Sequence, residues 1–406
     1  MRIGLITHIY PRFPGDYKGT FVADLARFLV ERGHYLVVAT PLWPGTARAE
    51  VVDGVRVHRF WYWGWRRGKR LGELKASSSP FVLGSLLASG VWTALGLARR
   101  YHLDLLHGYW VVPGGTMALL AGALAGRPVV ATAAGSDLNQ AAYQPIAGRV
   151  VRFTLRRMHT LMAPGSQLAR RAVESGIPQE RVQLLMGHSG IDLSRFTGEQ
   201  VGGCASGGSC KALDRTLQRS EDFPIVLYVG NLSPPKRVDV VLRAVSRVVK
   251  SLPDARLLLV GDGELRMELE SLVSELGIGQ AVEFLGARPH DEIPGWMRQA
   301  DVLVHCSEHE GLPMVIMEAF GCGLPVVAAG VGGIPDLVRE GETGYLLDTG
   351  DDVGFARKLI KLLSQPELAA RLGANARAFA ETHLAKERVL ERVEAVYAAA
   401  VPTLET

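Results

Sequence analysis

The 406-residue chain is short of cysteine, of net charge and of long polar tracts, and each shortage removes a class of function. Its four cysteines, Cys204, Cys210, Cys306 and Cys322, form no Cys-x-x-Cys pair and show no zinc-like spacing with histidine. Cys306 and Cys322 sit in apolar surroundings and read as core thiols. Cys204 and Cys210 flank a glycine-serine loop, CASGGSC, and read as free surface thiols in a reducing compartment. A net charge of only +4, spread along the chain, argues against nucleic-acid binding, and no zinc-finger or RRM signature is present. The start, MRIGLITHIY, reads as a strand and lacks the apolar core and cleavage site of a signal peptide, which places the protein in the cytoplasm.

What is present is a globular composition, 48% hydrophobic and 21% charged, in a chain too long for one ordinary core. Short apolar runs alternate with amphipathic helical stretches in two series. The first contains IGLITHIY, FVADLARFLVERGH, YLVVATP, DLLHGYW and PVVATAAGSD; the second follows a glycine-rich stretch near residue 200, with PIVLYVG, VDVVLRAVSRVVKSL, ARLLLVGDG, AVEFLG, ADVLVHC, GLPVVAAG and GYLLD. Two such series predict two doubly wound α/β domains, each with its ligand at the carboxyl ends of its strands.

One stretch is long and apolar enough to span a bilayer, Pro80 to Ala98. A stripe of Val82, Leu83, Leu86, Leu87, Val91, Ala94, Leu95 and Ala98, opposite Ser85, Ser89 and Thr93, instead predicts a helix packed into a domain. Upstream, Phe60 to Arg70 interleaves aromatics with cations, a composition that suits either a lipid interface or a solvated loop with aromatic anchors.

The chemistry concentrates in the second series. Lys236, in YVGNLSPPKRVD, follows a strand and precedes a helix, where a lysine can hold a phosphate. EHEGLPMVIMEAFGCGLPVVA, residues 308 to 328, sets Glu310 before a Gly-Leu-Pro turn and Glu318 beyond it. Pro313 suits the first position of a helix, so Glu310 lies in the preceding loop and Glu318 about one and a half turns inside a helix over Met314 to Gly321. Unpaired amides at the helix start present positive charge, and carboxylates accept hydrogen bonds in pairs from vicinal hydroxyls. Sugar nucleotides carry phosphates and two such hydroxyl sets. The alternatives, a helix-start charge for Glu310 and a solvated helix face for Glu318, leave the convergence of loops at one sheet edge unexplained.

These motifs, with GGIPDLV, GYLLD and LLLVGDGELR, and with YPRFPGDYKGTFVADLARFLVERGH, DLLHGYWVVPGG, GSDLN and SGIDLSRF, resemble the family-4 retaining glycosyltransferases of GT-B fold over nearly the whole chain. The family signature is two glutamates separated by seven residues. The resemblance implies two Rossmann-like domains facing across a cleft: an acceptor-binding domain over residues 1–195, with the C-terminal helix of residues 385–406 packing back on it, and a nucleotide-sugar-binding domain over 196–384. It implies that Glu318 binds the ribose, Glu310 contacts the transferred sugar and Lys236 holds the diphosphate. Gly230 and Asn231 flank that site, amides of Gly311, Leu312 and Met314 face phosphate and sugar, and Arg288 lies in the loop lining the base. Gly15 and Gly19 belong to the N-terminal loop over the donor, and Asp137 to a Gly-x-Asp motif. No metal and no cofactor are expected, the nucleoside-diphosphate sugar being a substrate.

The sequence also departs from that pattern. Asn231 stands where a second basic residue is common, Ala134 where a histidine often precedes Gly-x-Asp, His107 and Tyr109 where His-x-His is frequent, and Asp16 and Tyr17 where two glycines are usual. A UDP- or GDP-sugar-dependent transferase is the expected activity; an epimerase or hydrolase of nucleotide sugars, or a non-catalytic sugar-nucleotide binder, are the alternatives. The acceptor is expected to be a glycan or lipid-linked, reached by peripheral contact with the inner face of the membrane, because the N-terminal half carries both the aromatic-cationic stretch and Arg149, Arg152 and Arg156 at helical spacing.

Overall fold

The computed structural model of the protein describes residues 1–13, 15–16, 19–63, 80–139, 145–187, 189–196 and 223–401. Cys204 and Cys210 and the stretch 64–70 lie outside the described residues. Contacts divide the chain into two units, Met1–Gly190 with Lys386–Thr406, and Ile191–Ala385.

The first unit is built on strands β1 (Arg2–Ile6), β2 (Tyr35–Pro41), β3 (Ala49–Val52), β4 (Val55–Phe60), β5 (Leu105–Tyr109), β6 (Val129–Thr132), β7 (Thr160–Ala163) and β8 (Val182–Leu184), in the order β3-β4-β2-β1-β5-β6-β7-β8. All pairings are parallel except the β3–β4 hairpin. That hairpin, with β7 and β8, went unread in the sequence, because strands of three to six residues give too few alternations to stand out as a period. The second unit holds β9 (Ile225–Val229), β10 (Arg256–Val260), β11 (Val282–Gly286), β12 (Val302–His305), β13 (Val326–Ala329) and β14 (Gly344–Leu347), all parallel, in the order β11-β10-β9-β12-β13-β14. The central strands β9, β12 and β13 are apolar and buried on both faces, as a sheet covered by helices on both sides requires, whereas the edge strand β11 exposes Glu283.

In each sheet the chain advances one way from its first strand and then returns to the other side of it. The reversal falls between β1 and β5 in the first unit and between β9 and β12 in the second. Loops leaving the strands there diverge to opposite faces and open a crevice at their carboxyl ends.

Packing follows the periodicity. The helix Thr20–Glu31 buries Val22, Leu25, Ala26, Phe28 and Leu29. The C-terminal helix Lys386–Ala400 joins the same core through Val389, Leu390, Val393 and Tyr397. Burying each such aliphatic or aromatic side chain stabilises by about 1.5–3 kcal/mol. Polar contacts fix the register of that C-terminal helix: buried His107 is held between the Tyr397 hydroxyl at 2.7 Å on Nδ1 and the Thr132 hydroxyl at 2.8 Å on Nε2.

The helix Pro80–Arg100 packs on the helix Thr116–Ala125, with Leu86, Ala94, Leu97 and Ala98 among the core. Gly90 permits the approach, since a Cβ there would overlap the Met117 sulfur. Phe81–Arg100 is nonetheless long and apolar enough to cross a membrane, with only a third of its apolar window buried. The expected stripe needs a correction: Leu83 is 42% exposed, because the first turn precedes Leu86, the first fully buried side chain of the helix. Nor is the outward face polar, since Phe81 is 80% and Trp92 74% exposed.

Burial pushes the pKa of His107 from its ordinary value near 6.5 down to about 3. Below pH 6.5 the unfolded chain therefore takes up a proton that the folded chain refuses until about pH 3, so stability falls as pH drops through that window. Denaturant unfolding as a function of pH is expected to show this acid slope, partly flattened in His107→Asn. Tyr397→Phe, which leaves Nδ1 unpaired, is expected to cost about 1–3 kcal/mol at neutral pH in the same assay.

Candidate active site

The reversal between β9 and β12 brings two loops together. The β9 loop runs through Gly230, Asn231 and Leu232 into a tight turn, Pro234–Lys236, before the helix Val238–Ser251. Arg237 adopts φ 47°, and its guanidinium pairs with Asp239 at 3.0 Å and with Glu308 of the β12 loop at 3.1 Å. The Glu308 amide also donates to the Pro235 carbonyl at 2.8 Å. Arg237 is thus occupied in tying the loops, and the half-buried Lys236 is the cation that faces Glu310.

The β12 loop leads into the helix Met314–Gly321. Pro313 is its N-cap, with ψ 119°, one position earlier than the sequence suggests; the helix begins at Met314 as expected. Glycines let neighbouring backbones interlock with these loops. A Cβ at Gly332, whose φ is 63°, would come within 2.0 Å of the Glu310 carbonyl oxygen, and the Gly333 amide donates to the Gly311 carbonyl at 2.8 Å. A Cβ at Gly263 would likewise sit 2.2 Å from the Leu232 carbonyl.

Glu310 Oε1 accepts from Lys236 Nζ at 2.5 Å and from His305 Nε2 at 2.9 Å, and Ser307 Oγ stands 3.1 Å from the same ring nitrogen. Burial pushes the Glu310 carboxyl up, but the hydrogen bond and charge of His305, then Lys236, outweigh it and hold the group well below the usual carboxylate range. Glu318, only 6% exposed, is bonded by His290 Nε2 at 2.7 Å, so it is not a solvated helix-face residue. An anionic carboxylate beside an ammonium and a helix N-terminus can bind a phosphate together with a hydroxylated group.

Gly230 is half-buried against the Tyr228 hydroxyl, and Asn231 is exposed. Leu312 is buried, and Gly311 and Met314 are half-buried at the helix start. Arg288 is exposed, its guanidinium 5.8 Å over the Trp296 ring; the residue of its loop that reaches Glu318 is His290. His290 and His305 were not read from the sequence. Their signal was faint: a histidine closing the apolar strand VLVH, and another in PHDE.

In the first unit, Gly15 and Gly19 adopt φ 85° and 78°, and Gly19 caps the helix Thr20–Glu31. Between them Asp16 is buried and pairs with Arg12 at 2.6 Å, closing the loop where two glycines are usual in the family. Asp137 is buried, and its oxygens accept from the amides of Val111 at 2.7 Å and of Gly135 and Leu138 at 3.0 Å. It therefore fixes the loops after β5 and β6. Cys306 is buried and Cys322 half-buried, and burial raises both thiol pKa values, as core thiols require. Among the described residues no group of three or more His, Cys, Asp or Glu is arranged to hold a metal ion.

Comparison with known proteins agrees with this architecture. Residues 211–379 match the family described as "Glycosyl transferases group 1", and residues 19–186 the "Glycosyl transferase 4-like domain". The chain is 30% identical to N-acetyl-alpha-D-glucosaminyl L-malate synthase of Bacillus anthracis, over 98% of this chain and 96% of that protein. It is 32% identical to D-inositol 3-phosphate glycosyltransferase of Thermomonospora curvata, over 96% and 92%. Anabaena HepE, solved with UDP, superposes with a TM-score of 0.74 at 21% identity, covering 98% of this chain and all of the other. Sucrose-phosphate synthase of Thermosynechococcus elongatus gives 0.75 at 20% identity, over 98% of each. Two parallel sheets and these likenesses define the GT-B class. The chain belongs to the family-4-like glycosyltransferases.

The interlocked glycines generate a test. Gly332→Ala combines a left-handed backbone with a backbone clash and is expected to cost about 2 kcal/mol or more and to abolish most turnover. Gly350→Ala, at φ 95° with nothing within 4 Å of the added carbon, is expected to cost about 1 kcal/mol and leave turnover intact. Thermal unfolding and donor-turnover assays on the two variants check the contrast.

Proposed function

We propose that the enzyme moves a hexose or similar sugar from a UDP- or GDP-sugar to an acceptor hydroxyl, with retention and without a metal ion. The observation that carries this reading is the convergence of Lys236, Glu310 and the N-terminus of the helix Met314–Gly321 at the strand-order reversal of the second sheet. HepE has been solved with UDP and with UDP-glucose, which favours uridine as the base.

In the reaction the anomeric C–O bond to the diphosphate breaks and a bond to the acceptor oxygen forms on the same face. The acceptor proton passes to the departing phosphate oxygen, so no protein base is required, in keeping with Ala134. The protein contributes orientation and charge stabilisation. Lys236 and the amides of Gly311, Leu312 and Met314 take the developing diphosphate charge. Glu310 contacts the transferred sugar and Glu318 the ribose. Gly230, Asn231 and Arg288 border the nucleotide, Gly15 and Gly19 shape the first unit's loop over the donor, and Asp137 holds the loops after β5 and β6.

For the acceptor we favour a lipid-linked glycan reached from the cytoplasm at the inner face of the membrane. Trp61, Trp63, Phe81 and Trp92 are all exposed, and the Trp63 amide is bonded to Ser85 Oγ at 2.9 Å, which places Trp63 beside the helix Pro80–Arg100. Exposed Arg149, Arg152 and Arg156 on the helix Pro145–Arg157 add positive charge. A second reading, a small hydroxylated anion as acceptor, is favoured by the relatives named for L-malate and for inositol 3-phosphate.

Two experiments test these readings. Glu318→Ala is expected to weaken nucleotide binding about tenfold or more, while Glu310→Gln lowers turnover and leaves nucleoside-diphosphate affinity nearly intact; equal effects of both on UDP or GDP affinity contradict the division of roles. Flotation at low salt is expected to carry wild type, but less of a Trp92→Ser, Phe81→Ser variant, with anionic vesicles. Equal retention of both in the soluble fraction favours the small acceptor.

A further inference from the structure

We infer that His305 is a positioning residue that holds Glu310 in place for the transferred sugar while Lys236 is engaged by the donor's diphosphate. The inference rests on the donor-site reading above and adds to it a residue outside the motif of two glutamates and a lysine.

One carboxylate oxygen, Glu310 Oε1, serves two donors of different kinds. Lys236 stands on a loop turn, its side chain 27% exposed, at the end of a flexible four-carbon stem. His305 closes β12, is 2% exposed, and belongs to a strand paired to β9 and β13 on either side. A diphosphate competes with Glu310 for the lysine charge. As Lys236 turns toward phosphate, a carboxylate only 12% exposed would lose that cation, and its position then depends on the donors that remain on it. His305 is the donor that stays, because its backbone is set in the sheet rather than in the loop.

Histidine is a demanding side chain to bury at the end of an apolar strand. A carboxylate only accepts, so Nε2 carries the proton that bonds Glu310. The other nitrogen, Nδ1, is buried and has no hydrogen-bond partner among the described residues. The strand around it, Val302, Leu303 and Val304, is fully buried and apolar, and a leucine in place of His305 would bury no unpaired nitrogen. What the histidine supplies and a leucine could not is the contact of Nε2 with Glu310 at 2.9 Å. The carboxyl of Glu310, held low by His305 and Lys236 together, agrees.

The test compares His305→Leu and His305→Gln with wild type. Calorimetric titration uses UDP, GDP, UDP-glucose, UDP-N-acetylglucosamine and GDP-mannose, and nucleoside-diphosphate release is followed from whichever donor binds. The leucine variant is expected to melt at or above the wild-type temperature and to bind the bare nucleoside diphosphate within about twofold. It is expected to lose the added affinity contributed by the sugar and to release product about tenfold more slowly or worse. Glutamine, which returns a donor near the position of Nε2, is expected to restore most of that loss. A leucine variant that matches wild type, that loses nucleoside-diphosphate affinity in parallel with turnover, or that glutamine fails to rescue overturns the role of His305 alone. A wild type that binds none of these nucleotides overturns the donor reading itself, and the inference with it.

Discussion

In both sheets the chain doubles back beside the first strand it lays down, and that reversal is the constraint on which the chemistry of the second unit depends. Between β9 and β12 the loops diverge to opposite faces, leaving a crevice into which one supplies Lys236 and the other Glu310. Neither residue would be notable on its own loop. Their pairing at 2.5 Å depends on two strands more than seventy residues apart being neighbours.

The loops are locked together by close backbone approaches as well as by side chains. Gly261, Gly263, Gly332 and Gly333 let four loops touch through main-chain atoms, with carbonyls where Cβ atoms would otherwise stand. Arg237, in a left-handed conformation, clamps the β9 and β12 loops with a guanidinium shared between Asp239 and Glu308. Rigid loops matter here because the leaving diphosphate and the sugar must be held in a fixed relation, and small displacements of the groups that orient them reduce rate steeply.

The first unit is put together differently at its corresponding reversal. At one of the two positions where glycines are common in the family, this chain buries Asp16 against Arg12. Asp137 spends its oxygens on backbone amides, and His107 spends both ring nitrogens on hydroxyls, one of them from the C-terminal helix. These are neutral or fully satisfied polar networks of the kind that specify a single packing. They explain how the loops keep their shape without the residues more often found there.

Alternation of short apolar strands with amphipathic helices was enough to read two doubly wound units, because a parallel sheet covered on both faces writes itself as uninterrupted hydrophobic runs at regular spacing. The helix Met314–Gly321 and the placing of Glu310 before it and Glu318 within it were also legible, since proline and glycine punctuate the chain locally. What only the tertiary structure decided is which groups those acids meet. His305 and His290 lie 5 and 28 residues from their glutamates, and hydrogen bonds of that kind depend on strand order and loop path, which no local pattern encodes. The outward face of the helix Pro80–Arg100 was likewise undetermined by its own sequence. Its apolar residues run most of the way round, and the side left to solvent, with Phe81 and Trp92 on it, was chosen by where the sheet and the neighbouring helix happened to stand.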